Sequence, residues 1–476
     1  MNNNLKKKTI NGILWNATEK FLVKGTSFAI SIFLARILSP DDYGLIGMLT
    51  IFIALSNIFI ESGFSKALIQ KQDCTDTDYS TVFYTNLGLS LLIYIILYLS
   101  APYVSIFYNE PLLCDILRIL SLNIILGSLN IVQRTKLIIK MDFKSLAKIN
   151  FIGTLFGGLC GLYMAYSNWG VWALVGQTII STATMMFLFP LYSDWKPIKS
   201  FSLNSFRMLF GFGSKLLISG TLSTIINNIS TIAIGKSYNS AQLGYYSKAV
   251  NFSDLIAWSI NDVLGTVTFP VLSELQNDKE RMIGIYRKSI LFSAMIVFPI
   301  MLLITLLAKP MIISLLTVKW LPCVILLQIL CIARALTPIS AINMNLLNAI
   351  GRSDLFLKLD LIKIPLILLT LAITIPISVE AIVWGTLFHT LINFFVNTYY
   401  PGKLFGYGAW QQLKDWKFIF LALLIMAVVV ILYLQCVNNV WIQFIGGGIL
   451  GTTIYIICCF KFNIINLETI KSFRKK

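Results

Sequence analysis

Charge is what this chain has least of. Asp, Glu, Lys and Arg make up 12% of its 476 residues, against about 25% in an ordinary soluble domain. A chain so poor in charge cannot cover a soluble globule of this size. Histidine is nearly absent: His389 is the only one, too few for a metal site, and a hydrogen-bonded structural role is expected for it. The eight cysteines (74, 114, 160, 323, 331, 436, 458, 459) show no paired ligand spacing, so they read as small buried hydrophobes. No Walker-type Gly-x-x-x-x-Gly-Lys-Ser/Thr loop occurs, since Gly235-Lys236-Ser237 has Ser230 where the first Gly would stand, so ATP is not expected as a direct energy source. Catalytic residues, a metal and a cofactor are not expected.

What replaces charge is apolar length. Hydrophobic residues reach 57%, in runs that repeatedly match the ~20 residues needed to cross a bilayer. Breaks at charge, Gly and Pro clusters predict about fourteen spans: 13–37, 44–69, 79–101, 113–133, 146–166, 169–192, 207–234, 241–269, 287–308, 321–349, 355–376, 380–400, 417–436 and 440–460. The fold class is therefore an all-α polytopic membrane protein. Spans one, eight and ten carry ions and amides and are expected to face protein or water. The start, "MNNNLKKKTINGILWNATEKF", has no uninterrupted apolar core or small-x-small cleavage site, so it reads as a retained first span with a basic leader.

The net charge of +17 raises the question of nucleic acid, and its distribution answers it. With the N-terminus inside, 26 of the 38 Lys and Arg fall in cytoplasmic segments, against only Arg36, Lys236, Lys309 and Lys319 outside. That bias places both termini in the cytoplasm and needs no nucleic-acid partner. The other eight cations, Lys20, Lys24, Lys66, Arg118, Lys215, Lys248, Arg334 and Lys363, lie within spans beside Glu19, Glu61, Asp254, Asp262 and Asp360. Each charge near the bilayer centre costs at least about 2.5–3.5 kcal/mol, so these residues are expected to face a cavity or a partner. The excess of cations hints at an anionic passenger.

The chain also resembles itself. At an offset of 200, "ARILSPDDYGLIGMLTIF" (35–52) falls on "GKSYNSAQLGYYSKAVNF" (235–252), with Arg36 on Lys236, Gly44 on Gly244 and Phe52 on Phe252. An offset of 210 places Lys148 on Lys358. Both registers imply two six-span halves of the same orientation, a parallel repeat of the kind transporters use. The expected organisation is an N-lobe over 1–200, a C-lobe over 201–402, and a helix pair with a basic tail over 403–476.

The first hairpin, "FLARILSPDDYGLIGMLTIFIALSNIFIESGFSKALIQ", with its Ala-Arg-x-Leu-Ser-Pro-x-Asp-Tyr-Gly start and later "GFSKALIQ", resembles the opening of bacterial polysaccharide flippases, as does "QRTKLIIKMDFKSLAKINFIG". That family of the Wzx type, handling O-antigen and exopolysaccharide, belongs to a superfamily with MATE transporters and the peptidoglycan-precursor flippase. The resemblance implies a MATE-like fold in the bacterial inner membrane. It also implies translocation of undecaprenyl-pyrophosphate-linked oligosaccharide from the cytoplasmic to the periplasmic leaflet, for lipopolysaccharide or exopolysaccharide synthesis. Membrane lipid, and possible contacts with a glycan polymerase and glycosyltransferases, complete the expected partners.

The pyrophosphate of such a substrate needs a cationic lining. Lys20 and Lys24, one turn apart on one helix face, together with Lys215 and Arg334, are the candidate anion-binding set; the alternative is snorkelling to the interface. Glu61, Asp254 and Asp262 are the candidate ion-coupling carboxylates, with Asp254 and Asp262 on one helix face. Pairing with Lys248 or another cation is the alternative for the two aspartates. Asp360 and Lys363, three apart, read as an internal ion pair. Rival readings are a peptidoglycan-precursor flippase, a multidrug exporter, a scaffold in a glycan-assembly complex, and a membrane-embedded polymerase or ligase. The exporter would want an acidic cavity. The enzyme would want acids in sizeable external loops, where the predicted loops are short and carry only Asp41, Asp42, Glu110, Asp115 and Glu380. Within "LARILSPDDYGLIGM", Pro40 ends one helix and Asp41 and Asp42 cap the next, so that pair is read as a turn without chemistry.

Overall fold

The computed structural model describes residues 3–61, 64–71, 73–276 and 278–464. Helix accounts for 87% of it, and no strand occurs among the described residues. In chain order the helices are α1 (Asn3–Ile37), α2 (Pro40–Glu61), α3 (Phe64–Gln70), α4 (Asp76–Tyr108), α5 (Leu113–Leu120), α6 (Leu122–Ile139), α7 (Phe143–Tyr166), α8 (Trp172–Tyr192), α9 (Leu203–Ser237) and α10 (Ser240–Glu274). There follow α11 (Lys279–Leu316), α12 (Cys323–Ala335), α13 (Thr337–Ala349), α14 (Ser353–Thr374), α15 (Val379–Phe405), α16 (Ala409–Asp415), α17 (Lys417–Cys436) and α18 (Val440–Lys461). Among the described residues, ten helical stretches are long and apolar enough to cross a membrane. Each expected span overlaps a helix, but those at 13–37, 207–234, 241–269 and 355–376 are not among the ten, and three others differ in build. The second is shorter, ending with α2 at Glu61 before a separate short α3. The fourth and tenth each consist of two helices, meeting at Ser121 and at Leu336. Pro338 lies in the first turn of α13, where its missing donor is tolerated.

The chain forms two compact units, Met1–Gly244 and Tyr245–Lys476. In the first, α7 packs along both α8 and α1. Gly153, Gly157 and Gly161 recur every fourth residue and let α8 approach: a methyl group at Gly157 would lie 2.6 Å from Ser181. The segment between α8 and α9 is fastened to the start of α4. The amides of Ile198 and Ser202 donate to Ser80 Oγ and Thr81 Oγ1, both at 3.0 Å. Trp195 is buried edge-on against Tyr79 and Phe83, and Lys136 Nζ lies 4.5 Å over the Tyr79 ring. Helix α9 continues along α2, α3 and α4, so it belongs to this unit.

The second unit is built around α11, whose Met282, Tyr286, Ile290, Ala294 and Phe298 form a continuous buried stripe. Helices α17 and α18 pack on it. Trp416 is 1% exposed and meets Phe298 edge-on at 5.2 Å, and Tyr455 donates to the Met295 carbonyl at 2.9 Å.

Candidate functional site

In the second unit the sequence candidates Arg334 and Asp254 find each other. Arg334 is at the end of α12, two residues before the break at Leu336, and Asp254 is on α10. Their Nε and Oδ1 atoms are 2.5 Å apart, and both side chains are only about a quarter exposed, at 28% and 25%. The residue chosen to bind an anion and the one chosen to couple an ion thus form one ion pair, with Arg334 as the cation in the place considered for Lys248. Lys248 itself is 1% exposed on α10, with its Nζ 5.7 Å over the Trp320 ring.

In the first unit Lys24 is half-buried and Lys20 exposed, midway along α1. Glu19 beside them accepts a hydrogen bond from Asn150 Nδ2 of α7 at 2.5 Å, so an amide on another helix holds it. The side chains of Lys215, Glu61 and Asp262 lie outside the described residues. Asp360 and Lys363 pair at 2.9 Å, as their spacing implies. His389 is bonded within its own helix to Asn393, at 3.0 Å from Nε2. No cluster of three metal-ligating side chains occurs among the described residues.

The aspartate pair at the start of α2 divides its work. Asp42 Oδ2 accepts from the Ser39 amide at 2.9 Å and the Ser39 hydroxyl at 2.7 Å, while the Asp42 amide donates back to Ser39 Oγ. This is a reciprocal helix cap. Asp41 Oδ1 accepts from Ser240 Oγ at 2.7 Å. Beside that bond the first turn of α10 crosses the first turn of α2 with backbones touching. A methyl group at Gly44 would lie 1.8 Å from the Ser240 carbonyl oxygen, and one at Gly244 would lie 1.9 Å from that of Pro40. The two glycines matched by the 200-residue offset are therefore the two on which one crossing depends.

Sequence reasoning missed a second polar assembly, because its members are mostly neutral. Tyr286 of α11, Asn343 of α13 and Gln412 of α16 are all fully buried. The Tyr286 hydroxyl bonds Asn343 Oδ1, and Gln412 Nε2 reaches both, at 3.2 Å to Tyr286 and 2.9 Å to Asn343. Next to it Arg287 grips Asp415 with two bonds of 2.6 Å, and Tyr407 adds a third at 2.8 Å. Burial pushes the Asp415 carboxyl up, but the bonds from Arg287 and Tyr407 outweigh it and hold it below the usual carboxylate range. The amides of the tenth predicted span, Asn343 among them, were the one visible signal.

Residues 33–325 match the sequence profile described as polysaccharide biosynthesis protein. The chain belongs to this family. Within the polysaccharide biosynthesis family it is similar to the lipopolysaccharide biosynthesis protein WzxC of Escherichia coli K12, 23% identical over 75% of this chain and 73% of WzxC. It is also similar to the succinoglycan biosynthesis transport protein ExoT of Rhizobium meliloti, 24% identical over 94% of this chain and 92% of ExoT. Among solved structures it shares the fold of the lipid II flippase MurJ in an inward closed conformation. The TM-score is 0.76 at 15% identity, covering 96% of this chain and all of MurJ. Of these, ExoT is named a transport protein and MurJ a flippase.

Proposed function

We propose that this protein is a flippase of the bacterial inner membrane that moves undecaprenyl-pyrophosphate-linked oligosaccharide from the cytoplasmic to the periplasmic leaflet. Family membership over residues 33–325 carries the reading, and the MurJ fold along nearly the whole chain supports it. In this proposal all fourteen expected spans cross the membrane, with both termini cytoplasmic. Two six-helix lobes, 1–200 and 201–402, work by alternating access, and residues 403–476 supply the last helix pair and tail. Glycan polymerase and glycosyltransferases are the neighbours such a substrate implies.

Arg334 is the residue whose setting best suits the pyrophosphate. A guanidinium binds phosphate oxygens through two parallel N–H bonds, and the Nε and Nη2 edge of Arg334 that would make them now faces Asp254, in ion-pair contact at 2.5 Å and through one long bond of 3.5 Å. An arriving anion would exchange with Asp254, leaving that carboxylate open to a proton or a monovalent cation. Substrate binding and ion uptake would then be two sides of one exchange, with Lys20, Lys24 and Lys215 as further anion contacts and Glu61 and Asp262 as further coupling candidates. The test is translocation of labelled lipid-linked oligosaccharide in proteoliposomes, with and without an imposed ion gradient. Movement by the wild type that Arg334→Gln abolishes supports the reading. No movement with any such lipid sinks it.

A further inference from the structure

We propose that the second unit binds an anionic phospholipid headgroup in a pocket where four of its helices end. Lys279 opens α11, Ala349 closes α13, Ser353 opens α14 and Phe405 closes α15. Between these ends is an open cavity of about 190 Å³. Its apolar side is Met282, Ile350, Leu404 and Phe405; its polar side is Lys279, Arg352 and the Gln276 amide. Met282 is fully buried, whereas both cations stand in the open at the rim.

The chemistry selects the occupant. Two cations over an apolar floor fit a group that is anionic at one end and hydrocarbon at the other. A free phosphate gains nothing from four apolar side chains, while a glycerol backbone with the first acyl carbons gains by covering them. A zwitterionic headgroup brings its own cation to the same rim. Arg352 is bonded through Nε and Nη2 to Asp354, at 2.8 and 2.7 Å, but an exposed pair of this kind holds weakly and leaves the guanidinium exchangeable. The remaining acids do not cancel the field. Asp278 is engaged in capping α11 through the Arg281 amide. Across 274–288, 349–358 and Lys403 there are seven cations, Lys279, Arg281, Arg287, Lys288, Arg352, Lys358 and Lys403, against Glu274, Asp278, Glu280, Asp354 and the Asp415 that holds Arg287. Helix ends that meet at one level mark the depth at which headgroups reside, and basic pockets between helix ends bind such headgroups. The charge bias of the sequence assigns this end to the cytoplasmic side, where anionic lipid contributes the surface potential. The inference concerns stability and lipid preference and is independent of the transported substrate.

The experiment is thermal unfolding of the purified full-length protein in detergent with added phosphatidylglycerol, or with phosphatidylcholine of the same chains. Phosphatidylglycerol should raise the midpoint by about 3 °C or more at saturation, and phosphatidylcholine should not. Lys279→Gln with Arg352→Gln should lose the shift, while Lys358→Gln, a cation of the same end outside the pocket, keeps it. Should the double variant fail to fold, the wild type still decides: half-molar sodium chloride must shrink the shift, and glycerol phosphate without chains must not reproduce it. Equal shifts from both lipids, a full shift in the folded double variant, no loss in salt, or a full shift from glycerol phosphate would each overturn the proposal.

Discussion

Replacing Gly44 by Ala tests the contact on which the start of α2 depends. The added methyl would sit 1.8 Å from the Ser240 carbonyl oxygen, where ordinary contact begins at 3.4 Å. The two first turns must therefore part by about 1.6 Å. The opposing atom belongs to the backbone, so no side-chain rotation relieves it. Overpacking of this kind costs roughly 1–3 kcal/mol. The same parting strains the 2.7 Å bond from Ser240 to Asp41, worth about 1 kcal/mol. Gly44→Ala should then lose about 2–4 kcal/mol, and Gly244→Ala, 1.9 Å from the Pro40 oxygen, a similar amount. The double variant should lose less than the sum, because the first methyl has already opened the space for the second. Gly88→Ala is the control: nothing lies within 4 Å of its added methyl, and Ala favours a helix interior over Gly by about 1 kcal/mol. Thermal unfolding in detergent, followed by size-exclusion chromatography, reads all four. If Gly44→Ala melts with Gly88→Ala at or above wild type, the crossing does not carry the weight assigned to it.

Three further outcomes follow from the polar contacts. Asp415 is held below its ordinary range in the folded state, so its contribution is complete above the unfolded carboxylate value of about 3.9 and fades as pH falls through the folded value; Asp415→Asn should flatten the acid limb of stability, seen as a smaller loss of melting temperature below pH 4. Asn343→Leu removes the acceptor shared by the Tyr286 hydroxyl and the Gln412 amide, which keep only their bond to each other inside the second unit, and should cost about 1–3 kcal/mol, with the all-apolar Tyr286→Phe/Asn343→Leu/Gln412→Leu variant milder than the single change in the same unfolding assay. Asp254→Asn and Arg334→Gln should each lower melting temperature, and the double variant should recover most of that loss while transport stays at least about tenfold down; restored transport in the double variant would remove Arg334 from substrate binding.

The sequence was legible where the physics is local. Apolar run length located the long helices, and Ser39-Pro40 with Asp42 announced the capped start of α2. The repeat register brought Gly44 and Gly244 into correspondence, though it could not say that they touch. Arg334 and Asp254 were each singled out as charges that must be matched inside a membrane, but 80 residues separate them and no periodicity links partners on different helices. The bend at Ser121 carries no Gly or Pro and is set by packing, so nothing local marked it. Most of the second buried assembly escaped notice because the search weighed charges, whereas Tyr286, Asn343 and Gln412 are neutral. A neutral amide also costs about 2 kcal/mol or more to bury unpaired, and Asn343, inside a predicted span, is the kind of residue to ask about.

That assembly also imposes an order of events on biosynthesis. Tyr286 and Asn343 leave the ribosome before Gln412, the side chain that completes their network from α16. Until about 70 residues after Asn343 have been made, the growing second unit carries a polar core one partner short. A nascent chain stalled or cleaved before Ala409 would present that unfinished core to the membrane's quality-control proteases, while one that has passed Asp415 can close it and add the Arg287 grip in the same step. Short α16 is in this sense a completion signal, written into the chain just ahead of its last two long helices.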